Sequence, residues 1–218
     1  MSSQPNAGGD ELSPPPITED RVLQLDDERF YLDNVAVVTE AASSIGRATA
    51  IALAVDGLTV VGLDVDEAGL DDTVETVESL DADGRAVAAA ADLTDGAETE
   101  AAVEAAAEEG QTCYLANIAG MQHISPISEF PMEAHDDMTD VMVRASFLLS
   151  KLVMPHVRVT DDGVGAIGNM SSVHGRYANP GQGDLHHRQT RAQRADALHR
   201  CGGRPARSVA SRSAPATS

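Results

Sequence analysis

Thr39-Glu40-Ala41-Ala42-Ser43-Ser44-Ile45-Gly46-Arg47-Ala48 is the stretch that decides the fold. It follows a continuous apolar run at 35–39 and leads into helical spacing of apolar residues at 43–55. An apolar run that ends in a turn of small residues and opens a helix reads as strand–turn–helix. The pattern then repeats. Further strands are expected at 58–63, 86–91, 112–117 and 164–170, and further helices at 67–80, 95–109 and 133–157. Strands that are apolar throughout and alternate with helices predict a parallel sheet covered on both faces. The expected fold is therefore α/β, a doubly wound parallel sheet.

Composition supports that reading. The chain has 218 residues, which fits one principal domain. Hydrophobic residues make up 42% and aromatics only 3%, with no Trp, so the core must be built from Ala, Val, Leu and Ile. The net charge of −20 argues against nucleic-acid binding and against anionic membranes. Lys151 is the only lysine. An acidic, lysine-poor surface suits concentrated salt, which screens self-repulsion. The two cysteines, Cys113 and Cys201, form no disulfide or metal spacing. No apolar run approaches the ~18 residues of a membrane helix. Residues 1–20 are polar and Pro-rich and lack the pattern of a signal peptide, so a cytoplasmic protein is expected. The expected organisation is a partly disordered extension (1–33), an α/β domain (34–183) and an irregular Arg-rich tail (184–218).

The Thr39–Gly46 turn resembles the T-G-x-x-x-G-I-G turn of the short-chain dehydrogenase/reductase family. Glycines there let the backbone approach cofactor phosphates at a helix N-terminus. Only the third glycine is present, as Gly46; Glu40 and Ser44 stand for the first two. A carboxylate facing a pyrophosphate repels it. Asp64 ends the second apolar run, at the place of a ribose-binding acid. There it would accept bonds from a 2′-hydroxyl and repel a 2′-phosphate, favouring NAD over NADP; the alternative is a helix-capping Asp. Asp92-Leu93 resembles the family's adenine-contacting pair. Leu115-Ala116-Asn117-Ile118-Ala119-Gly120 resembles its N-N-A-G segment. The resemblance implies that 34–183 is a dinucleotide-binding Rossmann domain, incomplete on its C-terminal side. It implies a cofactor site made of Thr39, Ser44, Ile45, Gly46, Asp64, Asp92, Leu93, Asn117, Ala119 and Gly120. It also implies a homo-oligomer, with an interface compromised in this chain.

On the substrate side, 119–131, 147–156 and Ser171-Ser172-Val173-His174-Gly175 resemble the 3-hydroxybutyrate dehydrogenase branch. By that resemblance Gln122 and His174 hold a small carboxylate. Ser172 is the serine that polarises the substrate carbonyl, with Ser171 as the alternative register. His174 also reads as a loop histidine without a ligand. The branch's lysine before the catalytic tyrosine is Gln182 here, and the family's relay asparagine is Met142. The family's Tyr and Lys, 13 and 17 residues after the serine, are Leu185 and Gln189. A tyrosine near pKa ~10 needs a neighbouring cation to act as a base at neutral pH. Without that pair, little turnover is expected of an NAD-dependent oxidoreductase acting on a secondary alcohol such as a short 3-hydroxy acid.

Residues 184–218 hold seven of the 15 basic residues and two of the 35 acidic ones. One reading is a basic arm for an acidic partner, in a protein with no catalytic role. The other is a shifted reading frame. Codons for Asp184 to Thr190, read one base later, allow Tyr at 185 and Lys at 189.

Overall fold

The computed structural model describes residues 17–25, 30–157 and 165–172. Five parallel strands form one sheet: β1 (Asn34–Thr39), β2 (Thr59–Asp64), β3 (Arg85–Ala90), β4 (Gln111–Asn117) and β5 (Ala166–Asn169). Their order is β3-β2-β1-β4-β5. Helices α1 (Ser44–Val55), α2 (Glu67–Ser79) and α3 (Gly96–Glu108) fill the first three crossovers. The expected fold class is the observed one.

β1 shows why the sheet is covered on both sides. Its residues alternate between two cores. Val35 and Val37 face α3 and the later helices, packing with Leu115, Val103 and Leu149. Ala36 and Val38 face α1 and α2, packing with Ile51, Leu70 and Val77. All six β1 residues are buried. Fully burying a Leu or Ile side chain contributes about 1.5–3 kcal/mol. The edge strands β3 and β5 are only half covered. Helix starts follow their caps: Asp66 accepts from Gly69 N, and Asp95 from Ala97 N and Glu98 N. Asp66, not Asp64, therefore caps α2.

One expectation fails. The single helix at 133–157 is instead α4 (Met132–Thr139), a π-helical turn (Asp140–Ala145) and α5 (Ser146–Val153). The widened turn surrounds Met142, and Ser146 Oγ donates back to Met142 O at 3.2 Å. A π-turn holds one extra residue in the turn, but Met138, Ala145 and Leu149 are spaced as on a regular α-helix, so the sequence pattern does not betray it. The helix also stops early, because Pro155 has no N–H to continue the ladder.

Candidate functional site: the crevice outside β1 and β4

The strand order reverses at β1, which has β2 on one side and β4 on the other. In open α/β sheets ligands bind outside the carboxyl ends of strands at such a switch point. Here that place lies between Thr39-Glu40 and Asn117–Gly120.

Thr39 ties the two walls together. Its buried hydroxyl accepts from Ile118 N and Ala119 N, both at 2.8 Å, and donates to Ala116 O at 3.4 Å. Asn117 is also buried; its side-chain amide donates to Asn169 Oδ1 at 2.9 Å and to Ser150 Oγ at 3.5 Å. This joins β4 to β5 and α5. Its own Oδ1 is buried with no partner among the described residues.

The turn keeps a glycine-like path without two of the glycines. Glu40 has φ 60° and Ser44 φ 48°, both in the left-handed region. That conformation costs an L-residue about 1–2 kcal/mol. Gly46 is buried in the first turn of α1, where a Cβ would overlap the Glu40 carbonyl. Unlike α2 and α3, α1 has no side-chain cap: Ser43 at its N-cap makes no such bond. The first N–H groups of α1 thus remain for another acceptor. Ser44 and Ile45 are exposed there.

Two carboxylates stand at the mouth. Asp64, at the end of β2, accepts from Ala42 N at 3.2 Å and Asp66 N at 3.1 Å. Glu40 Oε2 accepts from Gly120 N at 3.0 Å. Partial burial raises the Glu40 carboxyl above its usual range, the Gly120 N–H opposes this, and the Asp64 charge adds to the rise. After β3, exposed Asp92 accepts from Thr94 Oγ1 and Thr94 N, and these bonds hold its carboxyl below the usual range. Leu93 is buried in the core on the α3 side.

The crevice thus gathers Thr39, Ser44, Gly46, Asp64, Asn117, Ala119 and Gly120. Gln122 lies exposed just beyond it, and Ser172 follows β5. His174, Gln182, Leu185 and Gln189 lie outside the described residues. Glu40 is the member that sequence reasoning assigned only a repulsive part; its bond to Gly120 joins residues 80 apart. A groove of about 480 Å³ lined by Leu23, Leu25, Ile45 and Leu53 runs along α1. It shares only Ser44 and Ile45 with the residues expected at the cofactor site. Among the described residues no cluster can hold a metal ion, and no helix is long and apolar enough to cross a membrane.

The profile of the short chain dehydrogenase family matches residues 34–184. The 3-oxoacyl-[acyl-carrier-protein] reductase FabG of Thermotoga maritima is 32% identical over 149 residues, covering 68% of this chain and 59% of the relative. The D-threitol dehydrogenase of Mycolicibacterium smegmatis is 34% identical over 159 residues, covering 72% and 59%. This chain therefore spans just under three fifths of those two relatives. Among solved structures, a short chain dehydrogenase/reductase from Burkholderia phymatum in complex with NAD superposes with a TM-score of 0.71. It is 27% identical, with 80% of this chain and 63% of that one covered.

Proposed function

The chain belongs to the short-chain dehydrogenase family, and from that premise we propose that it binds NAD in the crevice outside β1 and β4. Its lineage is that of an oxidoreductase acting on a secondary alcohol, and the substrate class we favour is a short 3-hydroxy acid. The observation that carries the reading is the first turn of α1. Gly46 packs beneath the Thr39 and Glu40 carbonyls, and no side chain caps the helix. A backbone that close, at an uncapped helix N-terminus, fits an anionic phosphate. Asp64 fits a ribose with a free 2′-hydroxyl and disfavours a 2′-phosphate. Glu40 is the one residue of the turn that fits the group badly.

When bound, the nicotinamide would supply the hydride acceptor. The chain's own part is to hold and orient. Gln122 and His174 would hold the substrate carboxylate, and Ser172 would donate a hydrogen bond to the carbonyl oxygen as it forms. Counted from Ser172, Leu185 and Gln189 occupy the places of the family's Tyr and Lys, and neither side chain can take the alcohol proton. We therefore propose little or no turnover for this chain, and a message read one base out of register from codon 184. The two relatives are named for different substrates, a 3-oxoacyl-[acyl-carrier-protein] and D-threitol, so the 3-hydroxy acid rests on the resemblance of 119–131, 147–156 and 171–175, with Gln122 and His174 as the carboxylate-holding pair. Oxidation of 3-hydroxybutyrate above the level of a Ser172→Ala control would refute the inactivity.

A further inference from the structure

We infer that Glu40 sets the cofactor affinity of this chain: its carboxylate latches the crevice shut against Gly120, and a dinucleotide enters only as that carboxylate takes up one proton. The inference deepens the proposed function and rests on it.

The geometry begins with the backbone. At φ 60°, Glu40 projects differently from a β-strand residue. Its Oε2 reaches Gly120 N at 3.0 Å, from the end of β1 to the segment after β4. The bond therefore crosses the switch-point gap in which a dinucleotide would lie. A neutral glycine at this position would leave that gap open and Gly120 N free to face a ligand.

The charges around Glu40 make the latch sensitive to protons. Asp64, at the end of β2, bears on it with like charge. Asp66, at the start of α2, is occupied by Gly69 N. Arg47 on α1 does not neutralise it: its guanidinium is turned to Gly69 O, Thr73 Oγ1 and Asp72. His123, in the segment after β4, rests edge-on against Phe130, with ring centroids 5.2 Å apart. Partial burial already favours the protonated form of Glu40. A pyrophosphate arriving at the α1 N-terminus adds further negative charge, so the complex holds the proton more tightly than the free protein does. By linkage, affinity must rise as pH falls, by up to about tenfold per pH unit between the two Glu40 pKa values.

The test is calorimetric titration of the full chain with ADP-ribose, from about pH 5 to about pH 8, in buffers of differing ionisation enthalpy. Wild type, Glu40→Gln and Glu40→Gly are compared. Glutamine stands for the protonated carboxyl, a neutral and weaker acceptor for Gly120 N; glycine removes the side chain altogether. The expected result is uptake of about one proton by wild type and weakening with rising pH, against flat profiles and tighter binding in both variants. Binding by all three with the same pH slope overturns the latch and leaves the dinucleotide site standing. Binding by none of them at any pH overturns the dinucleotide site, and the latch with it. A readout independent of ligand is the Gly120 amide signal in nuclear magnetic resonance. It should move with the titration of Glu40 in wild type and stay still in Glu40→Gln; an amide that does not titrate in wild type overturns the latch.

Discussion

Gly46 lies directly beneath the carbonyl of Glu40, so close that a Cβ on Gly46 would overlap that group and stand 2.7 Å from the Thr39 carbonyl oxygen. These atoms are backbone and cannot swing aside as a side chain would. Gly46→Ala should push α1 off the end of β1, costing about 1–3 kcal/mol as overpacking does. Urea unfolding reads the loss directly, and an unchanged midpoint would contradict the tight turn.

Thr39 offers a sharper contrast. Thr39→Val keeps the shape and removes the acceptor shared by Ile118 N and Ala119 N. Each stranded buried donor costs about 1–3 kcal/mol. Thr39→Ser retains the hydroxyl and should lose much less. Equal losses in the two variants would mean that the methyl group, not the hydrogen bonds, holds the crevice.

Asp64 carries the choice of cofactor. Asp64→Asn removes the charge that repels a 2′-phosphate, and its affinity for NADPH relative to NADH should rise about tenfold or more, the size of a hydrogen bond to a charged group. An unaltered ratio, measured by NADH and NADPH fluorescence, would remove Asp64 from the ribose site.

Two carboxyls give opposite pH dependences. Asp92 is held below its usual range, first by the Thr94 hydroxyl. Its contribution to stability is present above the unfolded value of 3.8 and is lost as pH falls through the lower folded value. Glu40 is held above 4.5, so its ionisation in the folded state costs stability as pH rises through the folded value. Thr94→Val should flatten the acid-side loss, and Glu40→Gln should remove the cost at neutral pH. Urea midpoints between about pH 3 and about pH 7 read both; curves parallel to wild type would contradict both.

The charge of −20 makes a prediction for the whole chain. Raising KCl from about 0.1 M to about 2 M should raise the unfolding midpoint, because dense salt screens self-repulsion. A midpoint that falls or stays level would remove the argument for a salt-adapted surface.

Much of the fold was legible because each apolar run, such as 35–39, has a single place in a two-sided parallel sheet. Element ends moved by only a residue or two, as where β2 begins at Thr59 rather than Leu58. The interrupted helix was not legible, since buried Met138, Ala145 and Leu149 on either side of and within the π-turn at Asp140–Ala145 carry the sequence spacing of a regular α-helix. In the site, the Gly46 turn and Asp64 could be read locally. The bonds of Thr39 to Ile118 and Ala119, and of Glu40 to Gly120, could not. They join positions about 80 residues apart, and no local pattern encodes them.

The measurement that bears most directly on the central claim is an equilibrium titration of NADH into the full chain in high salt at mildly acidic pH. With no Trp in the chain, enhancement of the nicotinamide fluorescence is read without interference. Saturable binding at one site per chain, abolished by Gly46→Ala and weaker for NADPH, is the predicted result. No saturable binding to a chain shown to be folded would contradict the assignment of the crevice outside β1 and β4.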